Sequence, residues 1–167
     1  MSIEIHDQTK KVFVVAGASH SATSLVSKGL QENGINMHVP KGEQAIYYED
    51  LMFVELNKRI IENAGGGDFD TPPHEKIIAP GFEEDIKIAI KTRDDSYMWG
   101  WKDPRNAFTA QKYFPYLEGD VYFIACFRKP QRTVDSWNRR YLTHYTADDV
   151  KDVHRRIIKQ IEAFSEL

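Results

Sequence analysis

Hydrophobic positions along the chain follow two spacings: short unbroken apolar runs, and longer stretches with apolar residues every three to four positions. Lys11–Ala16, K-V-F-V-V-A, predicts a first strand. Thr23–Asn33 predicts a helix, closed by Asn33-Gly34, a residue pair suited to a helix C-terminus. Ile35–His38 predicts a short second strand. Glu49–Asn63 carries Leu51, Met52, Val54, Leu56, Ile60 and Ile61 near helical spacing. The stretch A-G-G-G-D-F-D-T-P-P after it reads as a loop. Phe82–Asp94 predicts a helix with Phe82, Ile86, Ala89 and Ile90 on one face. Tyr97–Trp101 predicts a third strand, Asn106–Phe114 a helix and Val121–Phe127 a fourth strand. Gln131–Tyr141 and Asp148–Phe164 predict the last helices. Strands alternating with helices predict an α/β protein of three layers, α/β/α, around a mostly parallel sheet of about 4–5 strands. One domain is expected over residues 1–167. Strand one is expected near the centre, and ligands bind at the carboxyl ends of such strands.

The join between the first strand and first helix is the most informative stretch. Residues 12–26 read V-F-V-V-A-G-A-S-H-S-A-T-S-L-V. An apolar run breaks at Gly17, passes through small polar residues and re-enters an apolar pattern. Backbone N–H groups of such a loop converge on one point, where the helix dipole favours an anion. Against G-x-x-x-x-G-K-[ST], Gly17 fits the first glycine and Ser24 the final hydroxyl, while Ala22 replaces the second glycine and Thr23 the lysine. The pattern resembles a phosphate-binding loop that lacks the lysine serving nucleoside triphosphates.

Three further segments bear on this loop. In Asp120–Arg140, an apolar strand ends in Arg128, Pro130 opens a helix, and Ser136 follows eight positions after the arginine. Arginine offers a planar fork to a phosphate, and the serine hydroxyl can reach the same group. Trp99–Asn106 reads W-G-W-K-D-P-R-N, and Ile46–Asn57 reads I-Y-Y-E-D-L-M-F-V-E-L-N. Together these motifs resemble the sulfotransferase family, including its bacterial-type members, from Val12 to about Tyr141. The resemblance implies 3′-phosphoadenosine 5′-phosphosulfate (PAPS) as donor, 3′-phosphoadenosine 5′-phosphate (PAP) as product, and no metal. It implies that Gly17, Ala18, Ser19, His20, Ser21, Ala22, Thr23 and Ser24 hold the 5′-phosphosulfate, and that Arg128 and Ser136 hold the 3′-phosphate. Here His20 stands where the family has Lys or Arg, and Ala22 where it has Gly. The chain is short for the family, whose members carry extra helices that shape the acceptor pocket.

Sulfuryl transfer needs positive charge or N–H donors at the leaving phosphate and a base for the acceptor proton. Lys102, Lys41 and a protonated His20 are candidates for the charge. Asp103, Glu49 and Glu43 are candidate bases, with His38 and His74 as weaker ones. Asp103 also suits a helix cap or a partner for Arg105, and Glu49 the first turn of a helix. Arg132, Arg139 and Arg140 can extend the 3′-phosphate site, but surface ion pairs are the expectation for them. Trp99 and Trp101 are expected to pack, and the acceptor is expected to be a small molecule or glycan-like hydroxyl or amine. Two other readings stay open: a Mg²⁺-dependent nucleotide or small-molecule kinase of the same fold, and a nucleotide-binding or interaction module without chemistry.

Charge and composition narrow the setting. The 167 residues carry a formal net charge of −3, which argues against bulk nucleic-acid binding. No apolar stretch is long enough to cross a bilayer, and M-S-I-E-I-H-D-Q-T-K-K lacks the apolar core of a signal peptide. The single cysteine, Cys126, falls inside an apolar strand and is expected to be a packing residue. These features predict a cytoplasmic setting.

Overall fold

The computed structural model describes residues 9–42, 47–67, 72–141 and 145–166. It is an α/β protein built on a parallel sheet of β1 (Lys11–Gly17), β2 (Met98–Lys102) and β3 (Asp120–Cys126), in the order β2-β1-β3. Val12 lies opposite Trp99 and Val121, and Val15 opposite Lys102 and Ile124. The central place of β1 follows from its apolar run, since a strand flanked on both sides must be hydrophobic throughout.

The expectation of four or five strands is corrected to three among the described residues. Ile35–His38 forms no strand. Only Asn36 reaches the sheet, bridging to Trp99 through a bond from its N–H to the Met98 carbonyl and one from the Gly100 N–H to its own carbonyl. The chain then turns away. His38 adopts a left-handed backbone (φ 49°), and its N–H bonds the Asn36 side-chain carbonyl. A local side-chain bond thus replaces the ladder that would have extended the sheet.

The helices are α1 (Thr23–Glu32), α2 (Leu51–Asn63), α3 (His74–Ile77), α4 (Glu83–Arg93), α5 (Asn106–Thr109), α6 (Pro130–Asn138) and α7 (Ala147–Ser165). The helix expected from Glu49 starts two residues later because Asp50 caps it, accepting the Met52 N–H at 2.9 Å. Arg93 grips the buried Asp50 carboxylate through two bonds of 2.6 and 3.0 Å, tying α4 to α2. The helix expected over Asn106–Phe114 shortens to α5 and continues as tight 3₁₀ turns through Tyr116, where Pro115 removes a backbone donor. Thr146 and Asp149 cap α7 reciprocally. Among the described residues no helix is long and apolar enough to cross a membrane.

Alternation along β1 divides the core. Val12 and Val14 join α2 and α4 residues such as Phe53, Leu56 and Ile86 in one cluster, with Trp99, Trp101 and Tyr113. Val15, with Phe13 packed against its cluster, joins Ile35, Met37 and Cys126 on the other side. The first cluster is aromatic: Phe53 stacks on Trp101 at 4.1 Å between centroids. Both tryptophans are buried, as their pattern predicts. These two faces leave the carboxyl ends of the strands as the edge where Gly17, Lys102 and Arg128 come out of the sheet.

Candidate functional site

The loop from Gly17 to Ala22 is wound tightly. A Cβ on Gly17 would sit 2.6 Å from Ser21 Oγ, 2.7 Å from Thr23 Cγ2 and 3.0 Å from Cys126 Cβ, so only glycine fits. His20 and Ala22 both take the left-handed backbone conformation, with φ of 64° and 72°. Ala22, at the N-cap of α1, therefore occupies a conformation that suits glycine, at a cost of about 1–2 kcal/mol. Paired left-handed residues just before a helix turn backbone N–H groups inward, the arrangement that makes an anion cradle. No side chain caps α1. Ser21 is buried to 4 % exposure, and its hydroxyl lies over Gly17 with no hydrogen-bond partner among the described residues. A buried hydroxyl without a partner is costly, and a ligand in the loop would satisfy it; Thr133 Oγ1, Trp99 Nε1, His74 Nδ1 and His154 Nε2 are the other buried atoms without a partner among the described residues. Thr23 is buried beside it, Ala18 is buried, and Ser19 is half-buried.

Two groups of charged residues flank the loop. On the β2 side, Lys102 is almost wholly buried and donates to Glu49 Oε1 at 2.6 Å, the Tyr47 carbonyl at 3.1 Å and Ser24 Oγ at 3.3 Å. Ser24 itself donates to the Tyr47 carbonyl at 3.0 Å. Burial pushes the Glu49 carboxyl up from its ordinary value, against the opposing pull of the Lys102 ammonium. On the β3 side, Arg128 Nη1 donates to the His20 carbonyl at 2.8 Å. His20 Nδ1 lies 3.1 Å from Ser136 Oγ on α6, and its ring meets Trp137 and Tyr141 edge-on. Burial, then Arg140, with smaller contributions from Arg128 and Arg139, lowers the His20 pKa. In the free protein, then, the ring is held away from the protonated form proposed for it from sequence.

The loop residues, Ser24, Lys102, Glu49, Arg128 and Ser136 are thus brought around one loop. Asp103 is placed differently. It is fully buried, accepting from Asn57 Nδ2 at 3.0 Å, from the Arg105 N–H at 2.9 Å and from Arg105 Nη1 at 3.2 Å. His38 Nε2 sits 3.0 Å from the Arg93 carbonyl, and His74 Nε2 3.0 Å from Gln111 Oε1. Glu43 lies outside the described residues, and Lys41 is exposed. Cys126 is buried and reduced beneath Gly17, with its thiol pKa raised by burial.

Sequence reading missed Tyr47 and offered Arg140 only as an extension of the 3′-phosphate site. Tyr47 ties the two flanks together: its carbonyl accepts from Lys102 and Ser24, while its hydroxyl accepts from Arg140 Nη2 at 3.2 Å. The Arg140 guanidinium also lies over the Tyr47 and Tyr141 rings. The expected surface ion pairs of Arg132, Arg139 and Arg140 are corrected: none has a carboxylate within ion-pair distance among the described residues. The surplus of cations over acids in R-K-P-Q-R-T-V-D-S-W-N-R-R was the sequence signal for it. Protein-family models, curated proteins and solved structures give no match to the chain.

Proposed function

We propose that the protein is a sulfotransferase of P-loop fold that moves a sulfuryl group from PAPS to a hydroxyl or amine. The observation that carries this reading is the buried Ser21 hydroxyl over Gly17, without a partner among the described residues, at the uncapped head of α1 and next to His20, whose carbonyl accepts from Arg128. Such a site suits a phosphate ester, and Arg128 with Ser136 suits a second phosphate on the same ligand. The resemblance in sequence supplies the identity of that ligand.

The residues divide the work of transfer. The backbone N–H groups of His20, Ala22, Thr23 and Ser24, with the Ser21 hydroxyl, bind the leaving phosphate, while the Ser21 N–H stays with the Ala18 carbonyl and the Ser24 hydroxyl with the Tyr47 carbonyl. Lys102, in hydrogen-bond reach of Ser24, stabilises the charge that develops there. Glu49 takes the acceptor proton. Its burial raises its proton affinity, which fits a base near neutral pH better than the fully bonded Asp103 does. The acceptor oxygen or nitrogen forms a bond to sulfur as the bond from sulfur to the phosphate oxygen breaks. The electron pair leaves on PAP, and the proton passes to Glu49. Asp103 positions the Lys102 strand end through Asn57 and Arg105.

Calorimetric titration with PAP, with 5′-AMP and Mg-ATP as comparators, tests the reading. PAP is expected to bind at least about tenfold tighter than either, since charge-assisted bonds to a second phosphate contribute about 1.5–3 kcal/mol. Preference for Mg-ATP would replace the reading with a kinase. No binding of any of the three would leave a P-loop domain without this chemistry.

A further inference from the structure

The two edges of the sheet are finished differently. The outer side of β2 is closed by Asn36, which donates its N–H to the Met98 carbonyl and accepts the Gly100 N–H, both at 3.0 Å. The other edge is β3, and among the described residues it pairs with β1 alone. Asp120 donates its N–H to the Lys10 carbonyl at 2.8 Å. Backbone direction alternates along a strand, so Asp120, Tyr122 and Ile124 turn their peptide groups to β1. Val121, Phe123 and Ala125 turn theirs outward, where no described strand meets them.

Solitary edges are blunted by lysine, proline, bulges or shortness. β3 uses none of these. D-V-Y-F-I-A-C is as long as the central strand, pairs with it residue for residue, and has its only charge at its first position. Its apolar side chains stay partly open: Tyr122 is 42 % exposed although it stacks on Phe13, and Val121, Phe123 and Ile124 are half-buried. Phe123 packs on Phe114 and on Phe164 of α7, and Ile161, three residues before Phe164, is 39 % exposed.

Charge identifies the occupant. Exposed Glu118 and Asp120 mark the amino end of the edge, and Arg128 and exposed Lys129 follow its carboxyl end. Lys10, also at the amino end, is taken up by Asp94 at 2.6 Å. The edge is thus acidic at one end and basic at the other, which makes it complementary to an antiparallel copy of itself. The backbone agrees. With Phe123 on a two-fold axis, it faces Phe123 of the second copy, and Val121 faces Ala125 of the second copy and the reverse. These are the residues with outward peptide groups, so in this register every outward N–H meets a carbonyl. Tyr122 then lies beside Ile124 of the second copy, an aromatic and β-branched pair. We propose that β3 docks antiparallel on β3 of a second copy of this chain, in the register centred on Phe123, joining two three-stranded sheets into one. Nothing in this contact depends on the transfer chemistry.

The test is sedimentation equilibrium of the protein over a concentration series. The parent is expected to dimerise in the micromolar range. Val121→Pro removes an outward donor without touching the ladder to β1. It is expected to weaken the dimer at least about tenfold, since two-fold symmetry counts the loss twice. Lys129→Glu sets acid against acid and is expected to weaken the dimer about threefold. Adding Glu118→Lys and Asp120→Lys to Lys129→Glu reverses both ends, and is expected to return the affinity to within about twofold of the parent. Circular dichroism checks that each variant is folded, and if Val121→Pro is not, the charge-reversed set decides. A parent that stays monomeric would leave the edge to a strand of another protein and overturn the proposal. So would a dimer that a folded Val121→Pro leaves intact, an assembly larger than a dimer, or a triple variant no tighter than Lys129→Glu alone.

Discussion

Two polar regions sit side by side at the carboxyl edge of the sheet, and they obey opposite rules. Beneath the surface, Asn57 donates to Asp103 and Asn106 and accepts from Thr109 and Tyr113 at 2.7 Å each. Asn106 accepts from Trp101 Nε1 and donates to the Val15 carbonyl. Each amide in this cluster is satisfied, and the cluster links α2, α5, β1 and β2. In the loop above it, the Ser21 hydroxyl has no partner and the nearby arginines no carboxylate among the described residues, and two residues adopt strained backbone conformations. A saturated network makes a rigid support, whereas unsatisfied groups and strain collect where a ligand is to be bound. The difference separates scaffold from site more sharply than burial does, since Ser21 and Thr23 of the loop are buried as Asn57 and Asp103 are.

Removing Asp103 tests the scaffold side and carries the largest expected effect. Asp103→Ala removes a buried acceptor from one Asn57 amide hydrogen and from the Arg105 backbone N–H, and is expected to cost about 3 kcal/mol in denaturant unfolding. If the variant kept full stability and lost only turnover, Asp103 would belong to the site and the division would be misdrawn. Arg128→Ala is the converse case. Its guanidinium bonds one loop carbonyl, so stability is expected to change by less than about 0.5 kcal/mol. PAP affinity is expected to fall by about 2 kcal/mol, roughly thirtyfold, in calorimetry.

The sequence made the loop legible because glycine and small hydroxyl residues after an apolar run have few other uses. Gly17 has no sterically allowed substitute, and the strand-end Arg128 is visible as a cation closing an apolar run. Asp103 was legible as a chemical type, but its role was not. Only the fold brings Asn57 to it from a helix 46 positions away. The second strand failed because propensity alone was weighed at Ile35–His38, and the Asn36 side chain competes for the very N–H groups a ladder would use. Tyr47 was hidden for a related reason: it contributes its backbone carbonyl, which any residue type possesses.

A smaller effect tests whether strain is stored in the loop. Ala22 sits at φ 72° and is exposed. Ala22→Gly is expected to raise stability by about 1 kcal/mol in the same unfolding measurement, relief of the left-handed penalty outweighing the extra freedom of glycine in the unfolded chain. A destabilised variant would mean that the loop carries no strain at this position, and that the contrast with the saturated network beneath rests on Ser21 and the arginines alone.

The smallest expected effect concerns His20. Burial and the charges of Arg140, Arg128 and Arg139 lower its pKa in the free protein. A phosphate bound in the loop opposes those charges and raises it. Because the bound pKa exceeds the free one, complex formation takes up a proton between the two values. Affinity for PAP is therefore expected to rise as pH falls from about 8 to about 6, by roughly threefold. The phosphates of PAP titrate near the lower end of that range and tend to weaken binding there. That contribution is common to the parent and His20→Ala, so the difference between their pH profiles isolates the histidine. Calorimetry in buffers of different ionisation enthalpy reads the proton directly, and uptake is expected only when His20 is present. Equal uptake by both proteins would place the titrating group elsewhere and leave His20 as a packing residue between the loop and α6, held there by Trp137 and Tyr141.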